Sequence, residues 1–213
     1  MEKFDRDLRS LQQARDLARA GAQAAKEFST YTEEQVDLIL KNMVRVAEAN
    51  KVMLAEMAHK ETGYGNVYDK TFKNHLASTL LYNEIKDEKT QGIISEDPVN
   101  KVVTVAAPIG LIMGITPSTN PTSTIIAKAI LAMKTRNAIV FAPHPKAINC
   151  CVKAAELMAI AAEEAGAPKG VIGCVTIPSM EASNWLMHCD EVKLILATGG
   201  PGMVKAAYSS GTP

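Results

Sequence analysis

The chain has 213 residues, enough for one domain of ordinary size or one large domain with an additional layer. Hydrophobic residues make up 47% of it, which indicates a packed globular protein and excludes a disordered one. Lysine plus arginine and aspartate plus glutamate both number 23, and this neutral balance removes the simplest argument for a nucleic-acid partner, which needs a basic face, so we expect none.

Targeting and redox signals are sparse. No apolar run has the length of a membrane span, so we expect no membrane partner, and the charged residues 1–5 lack the apolar core of a signal peptide. The spacing of Cys150, Cys151, Cys174 and Cys189 fits neither a zinc site nor a secreted disulfide framework. Reduced, buried thiols in a cytoplasmic protein are the simpler interpretation, and no metal site is predicted.

An amphipathic helix is predicted near the start of the chain. Apolar residues recur at three- and four-residue steps between Leu8 and Ala22, with charged residues between them. The stretch 5–28 therefore has one apolar face, which either packs on the remainder of this chain or docks on another protein or a protein shell.

Two more helical stretches follow. One begins at Thr32, whose spacing from Gln35 fits a capping box, and continues to Gly63. Another covers residues 69–85, and residues 91–100, rich in Gly, Ser, Asp and Pro, are expected to form a loop. We therefore predict an amino-terminal helical segment, residues 1–100, that packs on a second domain.

After residue 100, short apolar runs alternate with helical patterns. The predicted strands cover residues 102–105, 111–115, 138–141, 171–177 and 192–196. The predicted helices cover residues 121–134, 146–165, 180–187 and 202–209. Because these strands are apolar throughout, we predict a doubly wound α/β domain over residues 101–213, with a mainly parallel, Rossmann-like sheet covered on both faces.

The carboxyl ends of parallel strands meet at one edge of a sheet, where open α/β domains bind ligands. The first predicted loop at this edge contains Thr116, Pro117 and Ser118 and leads through Asn120 into a helix. Asn120 is placed to cap that helix, and Asn is a common cap. The alternative is that its amide NH2 group is directed at an oxyanion that develops during a reaction.

Two further loops lie at the same predicted edge. Pro143, His144 and Pro145 form either a stiff turn with an exposed histidine or a rigid shelf for a nucleotide or CoA. Thr198 and the glycines Gly199 and Gly200 open a helix, so their amides either approach a phosphate or simply make a turn. The spacing of these glycines is not the G-x-G-x-x-G dinucleotide fingerprint.

Several motifs resemble one family. They are residues 115–124 (ITPSTNPTST), residues 134–138 (KTRNA), residues 143–145 (PHP) and residues 195–211 (ILATGGPGMVKAAYSSG). They are similar to the CoA-acylating aldehyde dehydrogenases, above all to the aldehyde dehydrogenase part of bifunctional aldehyde–alcohol dehydrogenases and to their single-function relatives. The resemblance covers essentially the whole chain.

The resemblance implies a reaction in which an aldehyde, CoA and NAD+ reversibly give acyl-CoA and NADH through a cysteine thioester. Small aldehydes, with acetaldehyde as the default, and CoA are the implied partners, NADP is the alternative cofactor, and a homo-oligomer is the implied assembly. Asn120 matches the asparagine that stabilises the oxyanion. The implied cofactor contacts are Thr116, Pro117, Ser118, Pro143, His144, Pro145, Thr198, Gly199 and Gly200.

The chain departs from the family in two places. Ala142 and Pro145 stand where many aldehyde dehydrogenases have Lys and Glu, which leaves the choice between NAD and NADP open. The family's catalytic cysteine lies in a domain that would follow residue 213, so we expect an incomplete aldehyde dehydrogenase fold that is inactive by itself. The alternatives are a non-enzymatic nucleotide-binding or assembly module, and a non-acylating aldehyde dehydrogenase, against which the turn at residues 143–145 argues.

Overall fold

The computed structural model describes residues 5–213 and contains helices at both ends of the described chain. The helices are α1 (Arg6–Phe28), α2 (Glu33–Ala49), α3 (Lys51–Thr62), α4 (Val67–His75), a π-helical turn (Leu76–Leu80), α5 (Leu81–Ile85), α6 (Pro121–Lys134), α7 (Ile148–Glu164), α8 (Met180–His188) and α9 (Pro201–Tyr208). The strands are β1 (Gly92–Asp97), β2 (Val102–Ala106), β3 (Leu111–Ile115), β4 (Ala138–Ala142), β5 (Ile172–Cys174) and β6 (Val192–Ala197).

The central sheet has four parallel strands in the order β5-β4-β3-β6. All five residues of β3 and of β4 are buried, since helices cover both faces. Helices α1 and α8 pack together, α1 also contacts β3, β4 and β5, and α6 and α7 pack together and contact strands of the sheet. This arrangement confirms the predicted doubly wound α/β fold with its helical layer.

The amino-terminal helices belong to the same packed body as the sheet. Helix α1 buries small residues such as Ala14 and Ala18 against the sheet layer, so its apolar face packs on this chain itself. Helix α2 begins at Thr32, where the predicted capping box with Gln35 is formed in both directions. The buried face of α1 and the first residue of α2 therefore follow from local sequence signals.

The prediction of a loop at residues 91–100 is wrong. Residues Gly92–Asp97 form β1, which pairs antiparallel with β2 in a separate two-stranded sheet. The Asp97 carboxylate accepts hydrogen bonds from the backbone amides of Val99 and Asn100, which closes the turn between the strands. The prediction that β2 belongs to the parallel sheet is also wrong. This strand pairs with β1, which lies in the segment predicted to be a loop.

The predicted helix from Thr32 to Gly63 is divided in two at Asn50. The Asn50 side-chain amide donates a hydrogen bond to the carbonyl oxygen of Val46 at 2.8 Å, and the Asn50 backbone leaves helical geometry with ψ of 6°. An asparagine side chain offers the backbone an alternative to continuing a helix. The stretch 69–85 is likewise interrupted by the π-helical turn at Leu76–Leu80.

The structure bears on two predictions about membrane spans and targeting signals. No helix within residues 5–213 is long and apolar enough to cross a membrane. The prediction about residues 1–5 falls outside the described residues except at Asp5.

Candidate functional site

The strand order places a topological switch point between β3 and β6, the position at which open α/β sheets bind ligands. At the carboxyl end of β3, the Thr116 amide donates to the carbonyl of Ala142 at 3.2 Å. At the carboxyl end of β6, the Thr198 amide donates to the carbonyl of Ile115 at 3.2 Å. Three predicted loops therefore leave the sheet side by side, held by continuing strand-like hydrogen bonds.

A cavity of about 300 Å³ lies at this edge. It is lined by Met113, Ile115, Thr116, Ala142, Pro143, His144, Pro145, Pro178, Ser179, Met180, Ser183, Thr198, Gly199, Gly200 and Met203. Seven of the residues predicted to bind a cofactor thus meet in one cavity, from three separate loops. Pro117, Ser118 and Asn120 do not line it, although they continue the loop that begins at Thr116.

A fourth loop contributes to this cavity and was missed in the sequence. Pro178 and Ser179 follow β5, and the Ser179 hydroxyl caps α8 by accepting a hydrogen bond from the Ala182 amide at 3.0 Å. The signal was available, because a serine that follows a strand and opens a helix meets the same rule that selected the other loops.

The amino end of α9 borders the cavity. Gly200 is the N-cap of this helix without a side-chain cap, and Pro201 occupies its first turn. The free amides and the helix dipole at such an end favour a negatively charged group. His144 is exposed, and its Nδ1 atom accepts a hydrogen bond from the Lys146 amide at 3.1 Å. This hydrogen bond stabilises the turn between the two prolines.

Asn120 is the N-cap residue of α6, but its side chain does not cap the helix. The Lys73 ammonium donates a hydrogen bond to Asn120 Oδ1 at 2.9 Å, and the buried Lys70 ammonium donates to the carbonyl oxygen of Thr119 at 2.9 Å. Burial, with the nearby Lys73 charge, lowers the pKa of Lys70. Both lysines belong to α4, and sequence reasoning missed them because they lie far from Asn120 along the chain.

Lys128 is a buried cation at the switch point. Its ammonium donates to the carbonyl of Ile115 at 2.7 Å and to that of Leu196 at 2.6 Å, so it joins the carboxyl ends of β3 and β6. Burial lowers the pKa of Lys128 to about 8. Its contacts with backbone on both sides of the switch point indicate a structural part in shaping the edge where the cavity lies.

None of the four cysteines, all of which the structure describes, lines the cavity. Cys151 lies close to the first of these loops, since its sulfur is 3.5 Å from the Thr116 hydroxyl. Both thiols are fully buried at the start of α7, so neither reaches a substrate. Burial raises the pKa values of Cys174 and Cys189, which disfavours their reactive thiolates.

His188 and Cys189 do not form a catalytic pair. His188 Nδ1 contacts the carbonyl of Asn184, whereas the Cys189 thiol donates to the carbonyl of Leu186.

Within residues 5–213, no group of three or more His, Cys, Asp or Glu side chains is arranged to hold a metal ion. The described site therefore consists of a cavity at the carboxyl edge of the sheet and an Asn120 amide whose oxygen is held by Lys73.

Comparison with known proteins identifies the family. The aldehyde dehydrogenase family model matches residues 7–212, nearly the whole chain. The chain belongs to the aldehyde dehydrogenase family. The bifunctional aldehyde-alcohol dehydrogenase AdhE of Escherichia coli K12 is 54% identical over 190 residues, which are 89% of this chain and 21% of that protein.

Solved structures of aldehyde dehydrogenases share the fold. An acetylating aldehyde dehydrogenase from Geobacillus thermoglucosidasius superposes with a TM-score of 0.95 at 52% identity, over 99% of this chain and 47% of the other. Propionaldehyde dehydrogenase from Rhodopseudomonas palustris with bound propionyl-CoA gives a TM-score of 0.82 at 31% identity, over 94% and 44%. The resemblance to acylating aldehyde dehydrogenases is confirmed, and this chain spans about a fifth of AdhE and under half of these two.

Proposed function

We propose that this chain supplies the cofactor site and the oxyanion-stabilising asparagine of a CoA-acylating aldehyde dehydrogenase. The reaction is the reversible conversion of an aldehyde, CoA and NAD+ into acyl-CoA and NADH through a cysteine thioester. The observation that carries this proposal is the cavity at the switch point, to which four loops at the carboxyl edge of the sheet contribute. The loop that begins at Thr116 continues to Asn120, whose amide oxygen is held by a lysine.

The residues present suit a dinucleotide. The cavity of about 300 Å³ has a largely apolar wall that includes Pro143 and Pro145, and the amino end of α9 offers amides to a phosphate. When bound, NAD+ supplies the acceptor for the hydride of the aldehyde carbon. The part of this chain is to bind and orient the cofactor through Thr116, the turn at residues 143–145 and the turn at residues 198–200.

Asn120 has a separate part in the reaction. Attack of a thiolate on an aldehyde carbonyl converts the carbonyl oxygen into an oxyanion, and an NH2 donor fixed beside that oxygen stabilises the transition state. The cysteine that attacks is none of the four described, because two are fully buried and none lines the cavity. We therefore assign the nucleophile to a segment outside this sequence.

The division of the chain into an amino-terminal helical segment, residues 1–100, and a cofactor domain, residues 101–213, remains our proposal for the domains.

Activity can be tested in a hybrid enzyme in which residues 1–213 replace the matching half of the Geobacillus acetylating aldehyde dehydrogenase. We expect NADH formation that requires both acetaldehyde and CoA. Asn120→Ala should lower kcat by about 100-fold, the usual loss when one oxyanion donor is removed. Formation of free acid without CoA would refute the acylating assignment.

Calorimetry on this chain alone addresses the alternative of a non-catalytic binding module. Binding of NAD+ or CoA by the chain, together with a hybrid enzyme that never turns over, would favour the module. The same titrations with NADP+ decide cofactor preference, which the residues Ala142 and Pro145 leave open. Substrate choice among small aldehydes is measured in the hybrid, with acetaldehyde expected to give the highest kcat/KM.

We also propose a cytoplasmic homo-oligomer. All four cysteines are free, as expected for a reducing compartment. The β1–β2 hairpin exposes Val102, Val103 and Val105 to solvent, and an isolated two-stranded sheet is marginal in water, so a second subunit would stabilise it. Sedimentation of the hybrid enzyme should show an assembly larger than the monomer, and Val103→Lys should weaken it. A monomer at all concentrations would exclude this assembly.

A further inference from the structure

One face of α4 contacts the loop that carries Asn120 at two points and the first turn of α6, which follows this loop, at a third. Lys70 donates to the Thr119 carbonyl at 2.9 Å, and Lys73 donates to Asn120 Oδ1 at 2.9 Å. One residue further along α4, the buried Asn74 accepts a hydrogen bond from the Thr122 hydroxyl at 2.9 Å. Residues three and four apart lie on one side of a helix, so a single helix face supports this loop.

Helix α4 is itself held firmly. The Asn74 side-chain amide also donates to the carbonyl of Lys51 at the start of α3, at 2.9 Å. Asn74 is fully buried, and α4 makes its most extensive packing contacts with α3. Lys70 is buried and Lys73 is exposed, but both project from a helix that is anchored at Asn74.

The chemistry of the two partners fixes the orientation of the Asn120 amide. A lysine ammonium has three donors and no acceptor, whereas an asparagine amide has an oxygen that accepts and a nitrogen that donates. The amide oxygen must therefore face Lys73, and the NH2 group must point the other way. A flipped amide would place two donors against each other.

The donor that results is free for a ligand. Within residues 5–213, no acceptor contacts Asn120 Nδ2, and every buried side-chain nitrogen or oxygen in that range has a partner. Asn120 Nδ2 is therefore accessible to solvent. A positive charge on the oxygen side of an amide also draws electron density away from its nitrogen, which makes the NH2 group a stronger donor.

We propose that Lys73 is a positioning residue that selects the amide orientation of Asn120 and so presents its NH2 group to the oxyanion. This inference rests on the proposed function, because it assigns a part to Lys73 in the same reaction. Lys70 assists by holding the backbone immediately before Asn120. Lys73 itself contacts neither substrate nor cofactor in this assignment.

The first test is kinetic and uses the hybrid enzyme. Lys73→Met should lower kcat by about tenfold, less than complete removal of the oxyanion donor, because the amide remains but loses its preferred orientation. The KM for NAD+ should stay unchanged, since Lys73 does not line the cavity. Lys73→Arg keeps a donor-only cation and should recover most of the lost kcat. Lys26→Met, at the opposite edge of the sheet, is the control and should have no effect.

A double-mutant cycle separates positioning from a general structural role. If Lys73 acts through Asn120, Lys73→Met should change kcat by less than about twofold in an Asn120→Ala background. An equal loss of kcat in both backgrounds, or no loss in either, would overturn the proposal.

A second measurement uses this chain without any turnover. In an NMR spectrum of the 15N-labelled chain, the Asn120 side-chain NH2 signals should shift and become narrower in Lys73→Met, because the side chain gains rotational freedom about its Cβ–Cγ bond. The spectrum of Lys26→Met should match that of the unmodified chain. An unchanged Asn120 signal in Lys73→Met would refute positioning. This result stands even if the hybrid enzyme is inactive, so failure of the proposed function and failure of the positioning proposal are distinguishable.

Discussion

The ammonium nitrogen of Lys128 lies 2.7 Å from the carbonyl oxygen of Ile115, at the last residue of β3. The same nitrogen lies 2.6 Å from the carbonyl oxygen of Leu196 in β6. One buried cation thus joins the carboxyl ends of two paired strands at the switch point. Because both acceptors are backbone groups, the charge is solvated by peptide dipoles, and no salt bridge within residues 5–213 includes Lys128.

Lys128 should make the free energy of unfolding vary with pH in the alkaline range. Burial lowers its pKa from the ordinary 10.5 to about 8, so between these values the unfolded chain binds a proton that the folded chain has released. Stability should therefore rise with pH across this window, by on the order of 2 kcal/mol relative to Lys128→Met. Urea unfolding of both chains at pH 7.5 and pH 10 measures this difference. Parallel pH dependence in the two chains would contradict it, and Lys26→Met serves as the exposed control.

Gly114 should tolerate no side chain. A Cβ atom at this position would lie 2.7 Å and 2.8 Å from two ring carbons of the buried Phe141. Overpacking of this kind costs about 2 kcal/mol because neither the strand nor the ring has room to move. Urea unfolding of Gly114→Ala should show this loss, and a free energy of unfolding equal to that of the unmodified chain would show that β3 and β4 can separate.

Gly200 should tolerate a methyl group for folding but not for binding. A Cβ atom at Gly200 meets no atom within 4 Å, and its backbone has φ of −69°, which any residue adopts. The methyl group would project beside the cavity that Gly200 lines. Gly200→Ala should therefore keep its unfolding midpoint and lose about tenfold in NAD+ affinity, by the loss of close backbone approach to the ligand.

Gly202→Ala is the matched control for this experiment. Gly202 also has open space around its Cβ position, but it lies within α9 and does not line the cavity. Calorimetry should show unchanged NAD+ affinity for Gly202→Ala. Equal affinities of the Gly200 and Gly202 variants would place the cofactor elsewhere.

Arg136 should contribute strongly to stability. The residue is 1% exposed, its Nε atom donates to the Tyr31 carbonyl at 2.7 Å, and its guanidinium pairs with Glu33 at 3.2 Å. Removing it takes the guanidinium away from the Tyr31 carbonyl and from the half-exposed Glu33 carboxylate, so Arg136→Met should lose about 2 kcal/mol. Loss of the exposed Lys41–Asp37 pair, in Lys41→Met, should change stability by under about 0.5 kcal/mol.

Acid should reduce the Arg136 contribution. Burial opposes ionisation of Glu33, but hydrogen bonds from Lys134 and Arg136 prevail and lower the pKa of Glu33 below 4.5. A carboxylate with a lowered pKa contributes stability above its unfolded value, and the contribution is lost as pH falls through the folded one. The unfolding midpoints of Arg136→Met and the unmodified chain should therefore approach each other below pH 4.5. A constant difference would assign the effect to the Tyr31 contact.

Strong local signals gave accurate predictions. The start of α6 at Pro121 and the bounds of β3 match the predicted residues, because a proline after a potential cap and a short apolar run are unambiguous. Residues 91–100 were misread because glycine, serine and proline there indicate a loop. The turn chemistry of Asp97 between two β-rich runs, which indicates a hairpin, was overlooked.

The sequence by itself determined the alternation of strands and helices, and with it the edge where Thr116, Pro143 and Thr198 meet, since parallel strands direct their carboxyl ends to one side. Only the tertiary structure decided how Asn120 is held and which cation joins β3 to β6. The contacts Lys73–Asn120 and Lys128–Leu196 span 47 and 68 residues along the chain. Periodicity and capping act over one or two helical turns, so such distant pairs become visible only when the packed helices bring them together.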